Sequence, residues 1–107
     1  MISIQEFKKV EMTVGKVLAV EDHPDADKLM ILRVDVGEAA PRTLVAGLKE
    51  HYRNEELAGR TVIVVTNLQP AKLRGVESNG MLLAAQEGNK VAVLSPDKPV
   101  APGSRVL

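Results

Sequence analysis

The sequence has no cysteine and no tryptophan among its 107 residues. Disulfides, thiolate zinc sites and cysteine nucleophiles are therefore excluded, and a reducing cytosol is compatible. Only Phe7 and Tyr52 are aromatic. Single-stranded nucleic-acid binders stack bases on aromatic platforms at ~1–3 kcal/mol per base, and two aromatics cannot build such a platform. Any RNA partner must be read through backbone and shape. Long apolar runs are missing as well. None approaches the ~18–20 residues that span a bilayer, so no membrane partner is expected. The N-terminal MISIQEFKKVEM carries charges where a signal peptide keeps an apolar stretch. A cytoplasmic location is expected.

Excess charge of one sign is also lacking. Fourteen Lys and Arg balance fourteen Asp and Glu, whereas nonspecific polyanion binders carry a clear basic excess. The acids are unevenly placed, however. Glu21, Asp22, Asp25 and Asp27 cluster in one turn, while Thr61 to Gln86 holds Glu77 against Lys72 and Arg74. A locally basic patch on a neutral body favours a structured partner over generic polyanions. The apolar fraction of 45% and charged fraction of 26% are ordinary for a globular protein, and the length predicts one domain over residues 1–107.

The patterning predicts short strands. Ser3-Ile4-Gln5-Glu6 fits a capping box opening a helix from Ile4 to Lys9. Val14 to Val20 reads as a strand with a bend at Gly15. Met30, Leu32, Val34 and Val36 alternate with Ile31, Arg33 and Asp35, giving a strand with one buried and one mostly polar face. Thr43 to Ala46 is a third strand, and Lys49 to Leu57 reads as a helix closed by Gly59. Thr61 to Thr66 is rich in branched residues and reads as a central strand. Met81 to Ala85 and Val91 to Leu94 are the last strands. Three prolines keep the tail SPDKPVAPGSRVL out of a central strand, so it wraps the body or joins an interface. The predicted fold is all-β: a five-stranded OB-fold Greek-key barrel with short helices.

Asn67 to Ala85, NLQPAKLRGVESNGMLLAA, is the most informative segment. It reads as a loop far longer than the ~2–6 residues of most strand connections. Its middle offers Lys72, Arg74, Gly75, Ser78, Asn79 and Gly80, the cations, amide, hydroxyl and glycines that approach a nucleic-acid backbone. Each residue also has a plainer reading. Lys72 and Arg74 can be merely solvated, and Ser78 can close the loop by a local backbone bond. Met81 can fill the core or lie flat on a base. Lys28 can pair a phosphate or neutralise Asp25 or Asp27, and Arg33 lies on the polar strand face, available to RNA or to water.

Catalytic and metal readings are weak. His23 in H-P-D-A-D reads as a proline turn with solvated carboxylates, lacking the glycine and terminal glutamate of a calcium loop. His51 has no second histidine. Ser78, Ser95 and Ser104 have no histidine near in sequence, and there is no Walker-type loop. No enzyme activity, metal or cofactor is expected.

Four segments in order, FKKVEMTVGKVLAVEDHPDADKL, LVAGL, VVTNLQPAKLRG and VESNGMLLAA, resemble the stand-alone tRNA-binding protein family. The same module forms the C-terminal extension or small subunit of methionyl-tRNA synthetases and part of endothelial-monocyte-activating polypeptide. The resemblance runs from about Phe7 to Pro102. It implies an OB barrel, a homodimer built through the chain ends, and one tRNA held by its L-shape. It places RNA contacts on Lys28, Asn67, Lys72, Arg74, Ser78 and Met81. Position 79, often Gln or Glu in relatives, is Asn here, with a shorter reach. An aminoacyl-tRNA synthetase is a further implied partner. The rival reading is a protein-binding or chaperone-like module on the same barrel. The start at Met1, with its own capped helix, carries an expectation of a free-standing protein.

Overall fold

The structure is a computed structural model that describes residues 1–107. The chain opens with helix α1 (Ile4–Phe7), started by the expected capping box: Ser3 Oγ accepts from Glu6 N, and Glu6 Oε1 accepts from Ser3 N, both at 3.1 Å. α1 ends two residues before the predicted Lys9. There the bonds tighten to three-residue spacing, Lys9 N to Glu6 O and Val10 N to Phe7 O.

Strand β1 (Met12–Asp22) is longer than predicted because it serves two partners. Its first part pairs with β4 (Thr61–Val65), its second with β2 (Met30–Asp35), and the exchange falls at Lys16. Gly15 sits at this bend. A Cβ there would lie 2.7 Å from Val34 Cγ1, so the strands approach only because none is present. β3 (Arg42–Ala46) pairs with β2, and β7 (Met81–Leu82) pairs with β4. The order β3-β2-β1-β4-β7 curls into a nearly closed five-stranded barrel. Its inside is filled by Val17, Met30, Leu32, Val34, Leu44, Val62 and Val64, with Leu48 and Leu57 closing one part.

The predicted inner face of β2 is the observed one. Its outer face is less polar than expected, because Ile31 is 8% exposed and stands opposite Val45. The predicted helix over Lys49–Leu57 is mostly a turn, with His51 N and Tyr52 N both donating to Leu48 O. Only α2 (Asn54–Leu57) is helical; it buries Leu57, and Gly59 follows at φ +85.

The predicted long loop after β4 is largely ordered strand. β5 (Ala71–Leu73) and β6 (Val76–Ser78) form a hairpin. Its two-residue turn, Arg74-Gly75, has φ +52 and +89, the signs of a type I′ turn. The predicted strand over Met81–Ala85 divides at Leu83 into β7 and β8 (Ala84–Glu87), and β8 pairs with β9 (Lys90–Val93). The tail runs beside the start of β1: Gly103 N donates to Val14 O, Val14 N to Ser104 O, and Val106 N to Met12 O.

The gap between β3 and β7 is sealed by single residues. Asn79 N donates to Thr43 O, and the Ser78 hydroxyl accepts from Val45 N at 2.9 Å. Arg42 Nη1 donates to Thr66 O at 2.7 Å and to Asn79 O at 3.3 Å. Its Nε and Nη2 grip both oxygens of Glu38 at 2.8 Å. Gly80, at φ +138, passes 2.9 Å from Leu44 Cδ2, measured from where its Cβ would stand.

Gly80→Ala should therefore cost about 2–4 kcal/mol in urea unfolding. Gly47→Ala, with nothing nearer than 3.9 Å, should change stability by no more than ~0.5 kcal/mol. Equal effects would refute the close-approach argument. The Arg42 guanidinium, by its hydrogen bonds, holds the Glu38 carboxyl below the ordinary glutamate value of 4.5. Since the folded value is the lower one, the pair stabilises fully above pH 4.5 and loses this as pH falls through the folded value. Glu38→Gln should flatten that acid-side loss in unfolding free energy measured against pH; an unaltered profile would remove the pair from the seam's energetics.

Candidate nucleic-acid interface

The turn from His23 to Leu29 links β1 to β2 and carries Lys28. Its chain reverses through Leu29 N to Ala26 O and His23 N to Leu29 O, both 3.3 Å. The β5–β6 hairpin lies against this turn. His23 shares a 3.0 Å hydrogen bond with Leu73 O, and Arg74 Nη2 donates to Asp25 O at 3.0 Å. Lys28 on the turn and Lys72 and Arg74 on the hairpin thus belong to adjoining elements, although the longest of these separations in sequence exceeds forty residues.

Lys28 and Lys72 are exposed and make no ion pair; the three salt bridges join other residues. Lys28 does not neutralise Asp25 or Asp27, and Lys72 stands opposite Glu77 in the hairpin without bonding it. Among the clustered acids, Asp22 is bound by Lys49, and that hydrogen bond, followed by one from Asn54, lowers its carboxyl pKa. Arg33 is exposed on the outer face of β2, between Ala19 and Thr43. No hydrogen bond or ion pair ties it to the hairpin or to the Lys28 turn.

Met81 is 48% exposed. It borders a shallow cleft of about 210 Å³ with Val45, Ala46, Gly47, Leu48, Leu82 and Ala84. The core-filling reading of Met81 therefore fails, and its thioether is available to a flat partner. Asn79 spends its backbone on the seam and leaves its side chain exposed and without a protein bond.

Two expected contact residues are otherwise engaged. Asn67 Oδ1 accepts from Glu11 N at 2.8 Å, and Nδ2 donates to Lys9 O at 2.6 Å. Its amide brackets the exit of α1, and one Nδ2 hydrogen of this exposed residue stays uncommitted. Ser78 is 5% exposed; its oxygen receives the Val45 amide, and its only hydrogen goes to Gly80 O at 3.1 Å. The Ser78 hydroxyl is thus committed to the barrel seam, and the Asn67 amide is partly committed to the α1 exit. His23, read from sequence as part of a solvated turn, is 5% exposed and ties the two cationic elements together. Its only sequence signal is its place before Pro24 at the end of β1. No group of three or more His, Asp or Glu is arranged to hold a metal.

A family model described as "Putative tRNA binding domain" matches residues 12–105. The chain belongs to this tRNA-binding family. The methionine–tRNA ligase of Pyrococcus furiosus is 56% identical over 105 residues. That match takes in 98% of this chain and 14% of the ligase, so the chain spans about one seventh of that relative's length. The crystal structure of a MetRS related protein from Pyrococcus horikoshii superposes with TM-score 0.92 at 39% identity, covering 100% of this chain and 98% of that one. A CsaA chaperone protein from Picrophilus torridus gives 0.91 at 28% identity, with full coverage of both. In this member of the family the barrel is the OB-like one described above.

Removing a group that serves the seam should affect folding, and removing a free cation should not. Ser78→Ala leaves the Val45 amide unpaired and should cost about 1–3 kcal/mol of stability. Lys28→Ala should stay within ~0.5 kcal/mol of the parent. Thermal or urea unfolding of the two variants checks this, and a harmless Ser78→Ala would restore Ser78 as a free contact.

Proposed function

We propose that the chain binds folded tRNA without catalysing a reaction, as a homodimer of one-domain subunits. The observation that carries this reading is the anchored hairpin, which sets Lys72 and Arg74 beside the Lys28 turn in a chain of a tRNA-binding family. The cations meet phosphate, Asn79 reaches a base edge or ribose, and Met81 supplies a flat apolar contact. Arg33 extends the face along β2. With so few cations per subunit, affinity depends on engaging two copies at once, which makes the second contact intramolecular.

The chain ends support the dimer. Ile4, Phe7 and Val10 are exposed large apolar residues. With Val106 and Leu107 they line a groove of about 630 Å³, which a second copy would cover. In the cell, the protein raises the local concentration of tRNA for a methionyl-tRNA synthetase in the cytoplasm, the methionine–tRNA ligases being the relatives that carry this module.

Phe7→Glu should yield a folded monomer that binds total tRNA at least about tenfold more weakly in gel-shift titration. Wild type should form a species with the mass of two chains and one tRNA. Its affinity should fall with salt by ~0.7–0.9 log units per log unit of salt for each phosphate contact. A monomer that binds as tightly as the dimer, or a flat salt response, contradicts the mechanism. The second reading is a chaperone-like module, favoured by the likeness to the CsaA chaperone protein and by the apolar cleft beside Met81. Capture of unfolded polypeptide with no retention of tRNA would select it.

A further inference from the structure

His23 uses both ring nitrogens. Nδ1 lies 3.0 Å from Asp25 N, which can only donate, so Nδ1 accepts. Nε2 lies 3.0 Å from Leu73 O, which can only accept, so Nε2 carries the hydrogen. These partners select the neutral imidazole in one tautomer. The ring is thereby the joint between the Lys28 turn and the hairpin.

We propose that His23 is the positioning residue of the tRNA face, clasping the Lys28 turn to the Lys72–Arg74 hairpin through its bond to Leu73 O. The inference rests on the tRNA-binding reading of that face. The base of the hairpin is held by Ser78 and Asn79 at the barrel seam. Its tip is held by the His23 bond and by Arg74 to Asp25 O. A two-stranded hairpin is marginal by itself in water. A loose tip must be ordered when phosphate binds, and that ordering is subtracted from the affinity.

The ring is almost fully covered, and its Nε2 bond crosses from the turn to the hairpin, whereas the Nδ1 bond to Asp25 N lies within the turn. The charged side chains on the surrounding elements are Asp22, Asp25, Asp27 and Lys28 on the turn, Lys49 beside it, and Lys72, Arg74 and Glu77 on the hairpin. None of them bonds the ring through its side chain. The clasp is therefore the ring's own bond to Leu73 O, with the Arg74 bond to Asp25 O beside it.

The test uses the full chain and two variants. In His23→Asn an acceptor remains near the Nδ1 position but cannot reach Leu73 O. In His23→Gln the amide can donate where Nε2 stood. His23→Asn should keep its circular dichroism, exchange the amides of residues 71–78 faster without RNA, and bind total tRNA about threefold to tenfold more weakly. His23→Gln should bind within about twofold of wild type.

Wild-type exchange and affinity in His23→Asn would overturn the clasp, as would a His23→Gln variant that exchanges residues 71–78 faster and binds more than about twofold more weakly than wild type. The second result decides the matter even if His23→Asn does not fold. A wild-type protein that fails to retain total tRNA at low salt overturns the tRNA reading, and this inference with it, before any variant is compared. If wild type binds and only the variants fail to differ from it, the clasp alone is overturned.

Discussion

One hydroxyl group takes the place of a strand pair in this barrel. Between β3 and β7 no ladder runs, and the Val45 amide would be buried without a partner had Ser78 not turned its oxygen toward it. An unmet buried amide costs about 1–3 kcal/mol. The same short stretch needs Gly80, because any Cβ there meets Leu44, Val64 and the Val65 carbonyl. Arg42 then spans the gap from the other side through Thr66 O and Asn79 O. The β5–β6 hairpin hangs from this closure, so the placement of Lys72 and Arg74 depends on the seam.

The barrel was legible where the pattern was local. Alternation marked the inner face of β2, and the branched run marked β4 as central. Ser3 and Glu6 announced α1. The errors came from contacts that periodicity does not encode. Arg74 in a left-handed conformation is an uncommon turn residue, so the hairpin read as a loop. Leu48 to Leu57 has helical spacing, yet a turn around Leu48 O consumes the first half. The bonds of the exposed Asn67 had no local signal, and Ser78 and His23 looked like surface polar groups. Their partners stand 56 and 58, 33 and 50 residues away in the chain, and only the closed barrel brings them near. Of the site, Lys28, Arg33, Lys72, Arg74 and Asn79 lie exposed, as the composition of their segments suggested.

The neutral net charge is a sum over the whole molecule and does not set the field at the hairpin. Glu38, Asp22 and Glu56 are each matched by a nearby cation, Arg42, Lys49 and Arg53. Lys28 and Lys72 are left without an ion pair. Screening limits attraction between exposed charges to about 8–10 Å at moderate salt. A phosphate at the hairpin therefore senses its local cations more than the sum over the molecule.

The tail has a consequence for the protein's behaviour at high concentration. Residues 12–14 of β1 would otherwise present open amides and carbonyls, a template onto which a foreign strand can add. Gly103, Ser104 and Val106 occupy those groups, and Pro96, Pro99 and Pro102 deny the preceding stretch the donors needed to extend a ladder. The chain thus covers with its own tail the one side of β1 that β2 leaves open at residues 12–14.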